Sequence, residues 1–148
     1  MKIAVLDWYT VNIGGDIPSS RFEEFGEVRV IPMTTPEETA ANIADADIVL
    51  CNKVMITKEV IDACPNMRYI GLFATGFNNI DIEYAAKKGI TVCNAGEYST
   101  NAVAQQVFAY ILDHCNRIRD YGAAVKDGVF ESYTDEIFEA KTIDMDLA

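Results

Sequence analysis

The sequence predicts an α/β fold in which five parallel strands form a sheet with helices on both of its faces. Two observations predict it: short apolar runs recur along the first two thirds of the chain, and helix signals lie between them. Such runs are typical of central strands in a parallel sheet, because both faces of those strands are buried. The predicted strands cover residues 3–6, 27–31, 47–51, 69–73 and 90–93.

Helix-end signals predict the segments between the strands. Thr35 stands before Pro36 and three residues before Glu38, which is the pattern of a capped helix start. Pro65 stops a second helix, and Gly89 ends a third that Asp81 caps. The predicted helices cover residues 35–44, 58–64 and 82–88, with a further helical segment at 19–25.

After Tyr98 the pattern changes to apolar residues at helical spacing. The residues that form this stripe are Val103, Val107, Ile111, Cys115 and Ile118. They predict one long helix that Ser99 or Thr100 caps and that reaches Ala124, which suggests a connector between two bodies. We therefore expect a domain at 1–98, and an interdomain helix with a lead into another domain at 99–148.

Composition excludes several functions. The net charge of −11 argues against nucleic acid and against anionic membrane surfaces, because both need clustered Lys and Arg. The first apolar run ends at Asp7, too early for a signal peptide, and no apolar run is long enough to span a membrane. Four cysteines without a CxxC pair are typical of free thiols in a reducing compartment, so we expect a cytoplasmic protein.

The turn between the fourth strand and the third predicted helix is the most informative segment. Gly76 can adopt positive φ and lets a ligand approach the backbone. Free N–H groups at Thr75, Gly76 and Phe77 could together bind a carboxylate or phosphate. Local physics leaves open an ordinary strand-to-helix turn. A phosphate loop is excluded, because Phe77 and Asn78 stand where Lys and Ser or Thr are needed. No GxGxxG occurs either, so the chain carries no recognisable dinucleotide-binding fingerprint.

No side chain is predicted to be catalytic or to bind a metal. The single histidine, His114, falls within the predicted long helix, where a half-exposed surface position is the expectation. Cysteine, histidine and carboxylate side chains show no metal-ligand spacing, and no nucleophile–base pair stands out.

Three blocks resemble the D-isomer-specific 2-hydroxyacid dehydrogenases, and most of all their glycerate dehydrogenase (hydroxypyruvate reductase) branch. The blocks cover residues 74–81, 85–94 and 98–105, and the resemblance extends from residue 1 to about 125. It implies a flavodoxin-like substrate domain followed by a Rossmann domain that binds NAD or NADP. It also implies a homodimeric parent enzyme that reduces a small 2-oxo acid such as hydroxypyruvate or glyoxylate.

The resemblance also implies roles for individual residues. Those implied for substrate binding are Thr75, Gly76, Phe77, Asn52 and Lys53, and those implied for the cofactor side of the cleft are Thr100 and Ser99. The family's catalytic arginine, its acidic partner and its general-acid histidine are expected beyond Ala148. We therefore expect a truncated substrate-binding part that is inactive alone.

The alternative is a freestanding flavodoxin-like binding or regulatory module without catalysis. Phe108 and Tyr110 on the connector helix would then form a partner surface. Gel filtration separates the two hypotheses, because a fragment without its other lobe should self-associate through exposed apolar surface. An FMN-binding flavodoxin is disfavoured, since no Ser/Thr-rich loop follows the first strand.

Overall fold

The computed structural model describes residues 1–128. Within this range five parallel strands form a sheet in the order β2-β1-β3-β4-β5. The strands are β1 (Lys2–Val5), β2 (Glu27–Val30), β3 (Ile48–Cys51), β4 (Tyr69–Leu72) and β5 (Thr91–Cys93). The predicted fold class is confirmed, and each strand end lies within one residue of its predicted position.

Three helices pack over one face of the sheet. They are α1 (Pro36–Ile43), α2 (Lys58–Asp62) and α3 (Ile82–Lys87). Alternate strand residues point toward these helices, because successive side chains of a strand point to opposite faces. The buried cluster that results contains Ala4, Val49, Cys51, Ile70 and Leu72 from the strands and Ile43, Ile61 and Ala85 from the helices.

The predicted helix starts are confirmed by their caps. The Glu38 carboxylate accepts the backbone N–H of Thr35 at 3.2 Å and its hydroxyl at 3.1 Å. The Asp81 carboxylate accepts the N–H of Tyr84 at 3.0 Å. Gly89 follows α3 at a φ of 75°, in the left-handed region that glycine enters without steric cost.

The other face of the sheet is covered near the end of β4 by aromatic side chains. A 3-10 helix, Ser19–Phe25, stands where a helical segment is predicted and contacts β2. Its Phe22 ring lies 5.9 Å from the ring of Trp8 and 6.3 Å from that of Phe73, centroid to centroid. These contacts hold the segment after β1 against the end of β4.

The chain divides into two units, Met1–Tyr98 and Ser99–Ala148. The described part of the second unit contains α4 (Thr100–Asn116) and α5 (Ile118–Lys126). The prediction of one continuous helix to Ala124 is therefore wrong. Arg117 adopts a left-handed conformation with φ 47°, which ends α4, and its Nε lies 2.7 Å from the Asp120 carboxylate in the first turn of α5.

The predicted lead into another domain falls largely on residues 129–148, outside the described residues. None of the helices between residues 1 and 128 combines the length and the apolar character needed to cross a bilayer.

Candidate active-site cleft

An open cleft of about 930 Å³ lies at the carboxyl ends of the strands in the first unit. Open α/β sheets bind their ligands at this edge, where the order of the strands reverses. Here that reversal falls between β1 and β3, which are neighbours in the sheet but not in sequence. The cleft is lined by Thr10, Val11, Asn52, Lys53, Met55, Leu72, Phe73, Ala74, Thr75, Gly76, Asn78, Asn79, Ala95 and Tyr98.

The turn after β4 is anchored through its carbonyl groups. The carbonyl of Ala74 accepts the N–H of Ala95 at 3.0 Å, and that of Thr75 accepts the side-chain amide of Asn94 at 2.7 Å. The backbone N–H groups of Thr75 and Gly76, in contrast, have no acceptor among residues 1–128. The turn is therefore held in place while its amide hydrogens remain available to a ligand.

Gly76 does not use the positive φ that the sequence suggests. Its contribution is open space, because a Cβ built at this position meets only the Asn78 side chain, at 3.5 Å. A bound group can therefore approach the backbone closely at this point.

The turn after β3 is fixed by two buried or half-buried polar side chains. Asp7 is only 3% exposed, and its carboxylate accepts the backbone N–H of Asn52 at 3.0 Å and that of Lys53 at 2.5 Å. The side-chain amide of Asn79 donates to the carbonyl of Val54 at 2.8 Å. Residues that follow β1 and β4 thus determine the conformation of the turn that carries Lys53.

The charge of the cleft favours an anion. Lys53 is the one charged side chain among its described lining residues, although the chain as a whole carries −11. The Asp7 carboxylate is not part of this lining, and its two oxygens accept backbone N–H groups. A small acid would therefore meet a lysine and backbone amides with no opposing carboxylate in the lining.

The thiols of the first-unit core are poor nucleophiles. Burial, with the Asp7 charge as the smaller cause, raises the pKa of Cys51 to about 12. Burial alone raises the pKa of Cys64 to about 11. Both side chains therefore stay protonated at neutral pH and serve as apolar packing groups. His114 is exposed on α4.

Four of the predicted site residues line the cleft together: Thr75, Gly76, Asn52 and Lys53. Phe77 is not brought to this lining. Its carbonyl accepts the N–H of Ile80 at 3.1 Å as the chain turns toward α3, and its side chain lines a separate groove beside Ile82 and Val92. Ser99 and Thr100 lie in the second unit, at the start of α4.

The sequence analysis did not assign to the site the buried Asp7 or the polar lining residues Thr10, Asn78 and Asn79. A usable signal exists for Asp7, because a carboxylate directly after a buried parallel strand lies at the edge where such sheets bind ligands. Thr10 and Asn79 have no comparable local signal, since their partners lie 42 and 25 residues away in sequence.

A family model matches residues 8–143, and its description is "D-isomer specific 2-hydroxyacid dehydrogenase, catalytic domain". The chain is 40% identical over 141 residues to the hydroxypyruvate reductase of Blautia hydrogenotrophica, a match that covers 93% of this chain and 44% of that protein. It is 36% identical over 96 residues to the glyoxylate reductase of Thermofilum pendens, a match that covers 64% of this chain and 28% of that protein. The chain thus spans less than half the length of these relatives.

Solved structures give the same result for the fold. An acyclic imino acid reductase in complex with NADPH and D-Arg is 26% identical with a TM-score of 0.71, over 91% of this chain and 43% of that one. The D-lactate dehydrogenase of Aquifex aeolicus, complexed with NAD and lactic acid, is 22% identical with a TM-score of 0.69, over 91% and 40%. The second likeness concerns the fold alone.

Proposed function

Because this chain belongs to the D-isomer-specific 2-hydroxyacid dehydrogenase family, we propose that its first unit binds the substrate of an NAD(P)-dependent enzyme that reduces small 2-oxo acids. Hydroxypyruvate and glyoxylate are the proposed substrates. The names of the relatives from Blautia hydrogenotrophica and Thermofilum pendens support this choice.

One observation carries the proposal: the unbonded N–H groups of Thr75 and Gly76 line a cleft whose one charged lining residue in the described range is Lys53. Successive backbone amides bind carboxylates well, because they present several fixed donors that need no rearrangement. The substrate carboxylate would take these hydrogen bonds, with Lys53 adding a longer-range attraction and Asn52 a polar contact. The role of the unit is to fix the orientation of the 2-oxo group.

The nicotinamide would supply the hydride in such a reaction. The described residues do not fit a dinucleotide site of their own, since the sequence contains no GxGxxG. Ser99 and Thr100 are the residues of this chain that we propose for the cofactor side of the site. We also propose that residues 1–148 alone do not catalyse hydride transfer, and that the parent enzyme is a homodimer.

An NMR titration of the amide signals tests the substrate assignment. Hydroxypyruvate should shift the amide signals of Thr75 and Gly76 in a saturable way, because its carboxylate accepts hydrogen bonds from them. Methyl pyruvate, whose ester removes the negative charge, should leave these signals in place. Equal shifts with both compounds, or no saturable shift with hydroxypyruvate, would overturn the proposal.

A further inference from the structure

We propose that Asp7 is the positioning residue of the cleft, which fixes both the backbone and the side chain of Asn52 and the backbone of Lys53. The inference rests on the proposed function, since it concerns how the same site holds its acid. Asp7 is absent from the cleft lining, so its effect on a ligand would be exerted through these neighbours.

The Asp7 carboxylate fixes the backbone of Asn52 and Lys53. Its two oxygens accept one N–H each, from Asn52 at 3.0 Å and from Lys53 at 2.5 Å. The bonds join residues 45 and 46 positions apart, so they tie the end of β1 to the turn after β3. Because Asp7 is only 3% exposed, water does not compete for these amides.

The Asp7 backbone carbonyl fixes the side chain of Asn52 by way of Thr10. This oxygen accepts the Thr10 hydroxyl at 2.8 Å and the Thr10 N–H at 2.9 Å. With its own hydrogen committed, the Thr10 oxygen accepts the side-chain amide of Asn52 at 2.8 Å. One hydrogen of the Asn52 side-chain amide is therefore committed to Thr10, which fixes the orientation of this cleft-lining side chain.

The backbone conformation of Asp7 allows its carboxylate and its carbonyl to make these hydrogen bonds at the same time. Asp7 has φ 45° and ψ 37°, a left-handed conformation that is uncommon outside glycine. Aspartate and asparagine tolerate this region better than other residues with a side chain. The conformation turns the chain out of β1 and leaves the carboxylate buried between two strand ends. Unusual backbone conformations of this kind are found most often at functional sites.

Asp7→Asn is the sharpest test, because asparagine keeps the size of the side chain and its tolerance of the left-handed region. The new NH₂ group would face one of the two backbone N–H groups, donor against donor. We expect the affinity for hydroxypyruvate, measured by NMR titration of residues 1–148, to fall about tenfold or more. We also expect hydrogen exchange at the Asn52 and Lys53 amides to accelerate in the absence of any acid.

Thr39→Val is the matched control. Thr39 is fully buried in α1, and its hydroxyl donates to the Thr35 carbonyl at 2.9 Å, so this change also removes a buried hydrogen bond. It should destabilise the fold without changing the affinity for hydroxypyruvate or the exchange of the Lys53 amide. If Asp7→Asn does not fold, Thr10→Val serves instead. Its affinity for hydroxypyruvate should fall about threefold, because the Asn52 side chain loses its hydrogen bond while the backbone of Asn52 and Lys53 stays fixed.

The outcomes separate the two proposals. A wild-type chain that does not bind hydroxypyruvate at Thr75 and Gly76 defeats the proposed function, and the positioning role falls with it. A wild-type chain that binds, together with an Asp7→Asn variant that binds equally well, defeats the positioning role alone. Equal losses of affinity in Asp7→Asn and Thr39→Val would show a general effect of stability and would also overturn it.

Discussion

At the scale of single residues, the proposed recognition of an acid would depend on backbone groups more than on charged side chains. The amides of Thr75 and Gly76 are fixed by the anchored carbonyls of Ala74 and Thr75, so they need no rearrangement to accept a ligand. Lys53 is exposed and flexible by comparison. We therefore expect a change of backbone access to have a larger effect than the loss of the charge.

Gly76→Ala should separate binding from stability. The new Cβ meets only the Asn78 side chain at 3.5 Å, and φ at this position is not positive, so the fold tolerates alanine. Stability should be unchanged or raised by up to about 1 kcal/mol through a less flexible unfolded chain. The affinity for hydroxypyruvate should fall about tenfold, because the methyl group obstructs the close approach to the amides.

Gly122→Ala is the control for this change. Gly122 lies within α5, where nothing stands within 4 Å of an added Cβ. The substitution should raise helix stability by about 1 kcal/mol and leave hydroxypyruvate affinity as in the wild type. Urea unfolding and NMR titration measure the two effects separately. Wild-type affinity in Gly76→Ala would contradict the assignment of the turn.

Lys53→Gln should weaken binding modestly and in a salt-dependent way. Interactions between exposed charges are worth about 0.2–1 kcal/mol, which corresponds to an affinity loss of up to about fivefold. Added salt should weaken acid binding by the wild type and have less effect on Lys53→Gln, because screening acts on the charge that the variant lacks. Lys87→Gln, which changes an exposed lysine of α3 outside the cleft lining, should behave as the wild type.

The residues of the site differ in how far the sequence predicts them. Thr75 and Gly76 are predictable because a small-residue turn after an apolar run is a local signal that leads directly to a cap at Asp81. Asp7 is identified from the sequence only as the end of the first apolar run. That position places it at the edge where such sheets bind ligands, but its hydrogen-bond partners lie 45 and 46 positions away, and no local pattern identifies them.

At the scale of elements, a polar cluster joins α2 to α3. The Asp62 carboxylate lies 2.6 Å from the ammonium of Lys88 and accepts the hydroxyl of Tyr84 at 2.8 Å. Lys88 first and Tyr84 second hold the pKa of Asp62 below its ordinary value of 3.8, and Asp62 raises the pKa of Lys88 above 10.5. Both shifts arise from the same pair of helices.

The stabilisation by this cluster should disappear in acid. A carboxyl group with a lowered pKa in the folded state stabilises that state above its unfolded pKa and ceases to do so as pH falls through the folded pKa. We expect the urea midpoint of the wild type to exceed that of Asp62→Asn near neutral pH and to converge with it below pH 3.8, the ordinary value. The raised pKa of Lys88 predicts that the same stabilisation of the folded state is also lost as pH rises above 10.5.

A double-mutant cycle assigns the effect to the pair. Asp62→Asn, Lys88→Met and the double variant should show coupling near neutral pH and none in strong acid. Coupling that persists in acid, or an Asp62→Asn midpoint that stays below the wild type by a constant amount, would show that packing and not charge links these helices.

Helices whose ends carry capping residues or a terminal glycine are predictable from this sequence. Thr35 with Glu38 begins α1, and Gly89 follows α3, as their patterns predict. The break at Arg117 is not predictable, because the apolar stripe continues through Ile118 and arginine is a good helix former. The left-handed conformation of a single residue overrides the periodicity at that point.

At the scale of the whole molecule, the first unit combines a complete sheet with a polar edge. The strand order places the turns after β1, β3 and β4 around one cleft, so residues distant in sequence become neighbours there. The sequence predicts the parallel sheet and its elements because each strand and helix has its own signal, whereas the flavodoxin-like arrangement is what the family resemblance implies. The sequence does not name the 2-oxo acid that the proposed site would bind.

The last prediction concerns the activity of residues 1–148. Reduction of a 2-oxo acid needs a bound hydride donor and a group that delivers a proton to the carbonyl oxygen. In the described lining of the cleft there is no histidine, arginine or carboxylate, and the sequence carries no GxGxxG. We therefore expect this chain to bind hydroxypyruvate but not to oxidise NADH in its presence.

Loss of NADH absorbance measures the activity, with the hydroxypyruvate reductase of Blautia hydrogenotrophica, of which this chain covers 44%, as the positive control. A rate that rises in proportion to the concentration of this chain and falls in Gly76→Ala would contradict the expectation, because it would place both hydride transfer and proton delivery within these residues. Binding without turnover would instead show that orientation of the acid is separable from the chemistry. That separation follows from a site built of backbone amides, which donate hydrogen bonds to a carboxylate but are far too weakly acidic to deliver a proton to the carbonyl oxygen.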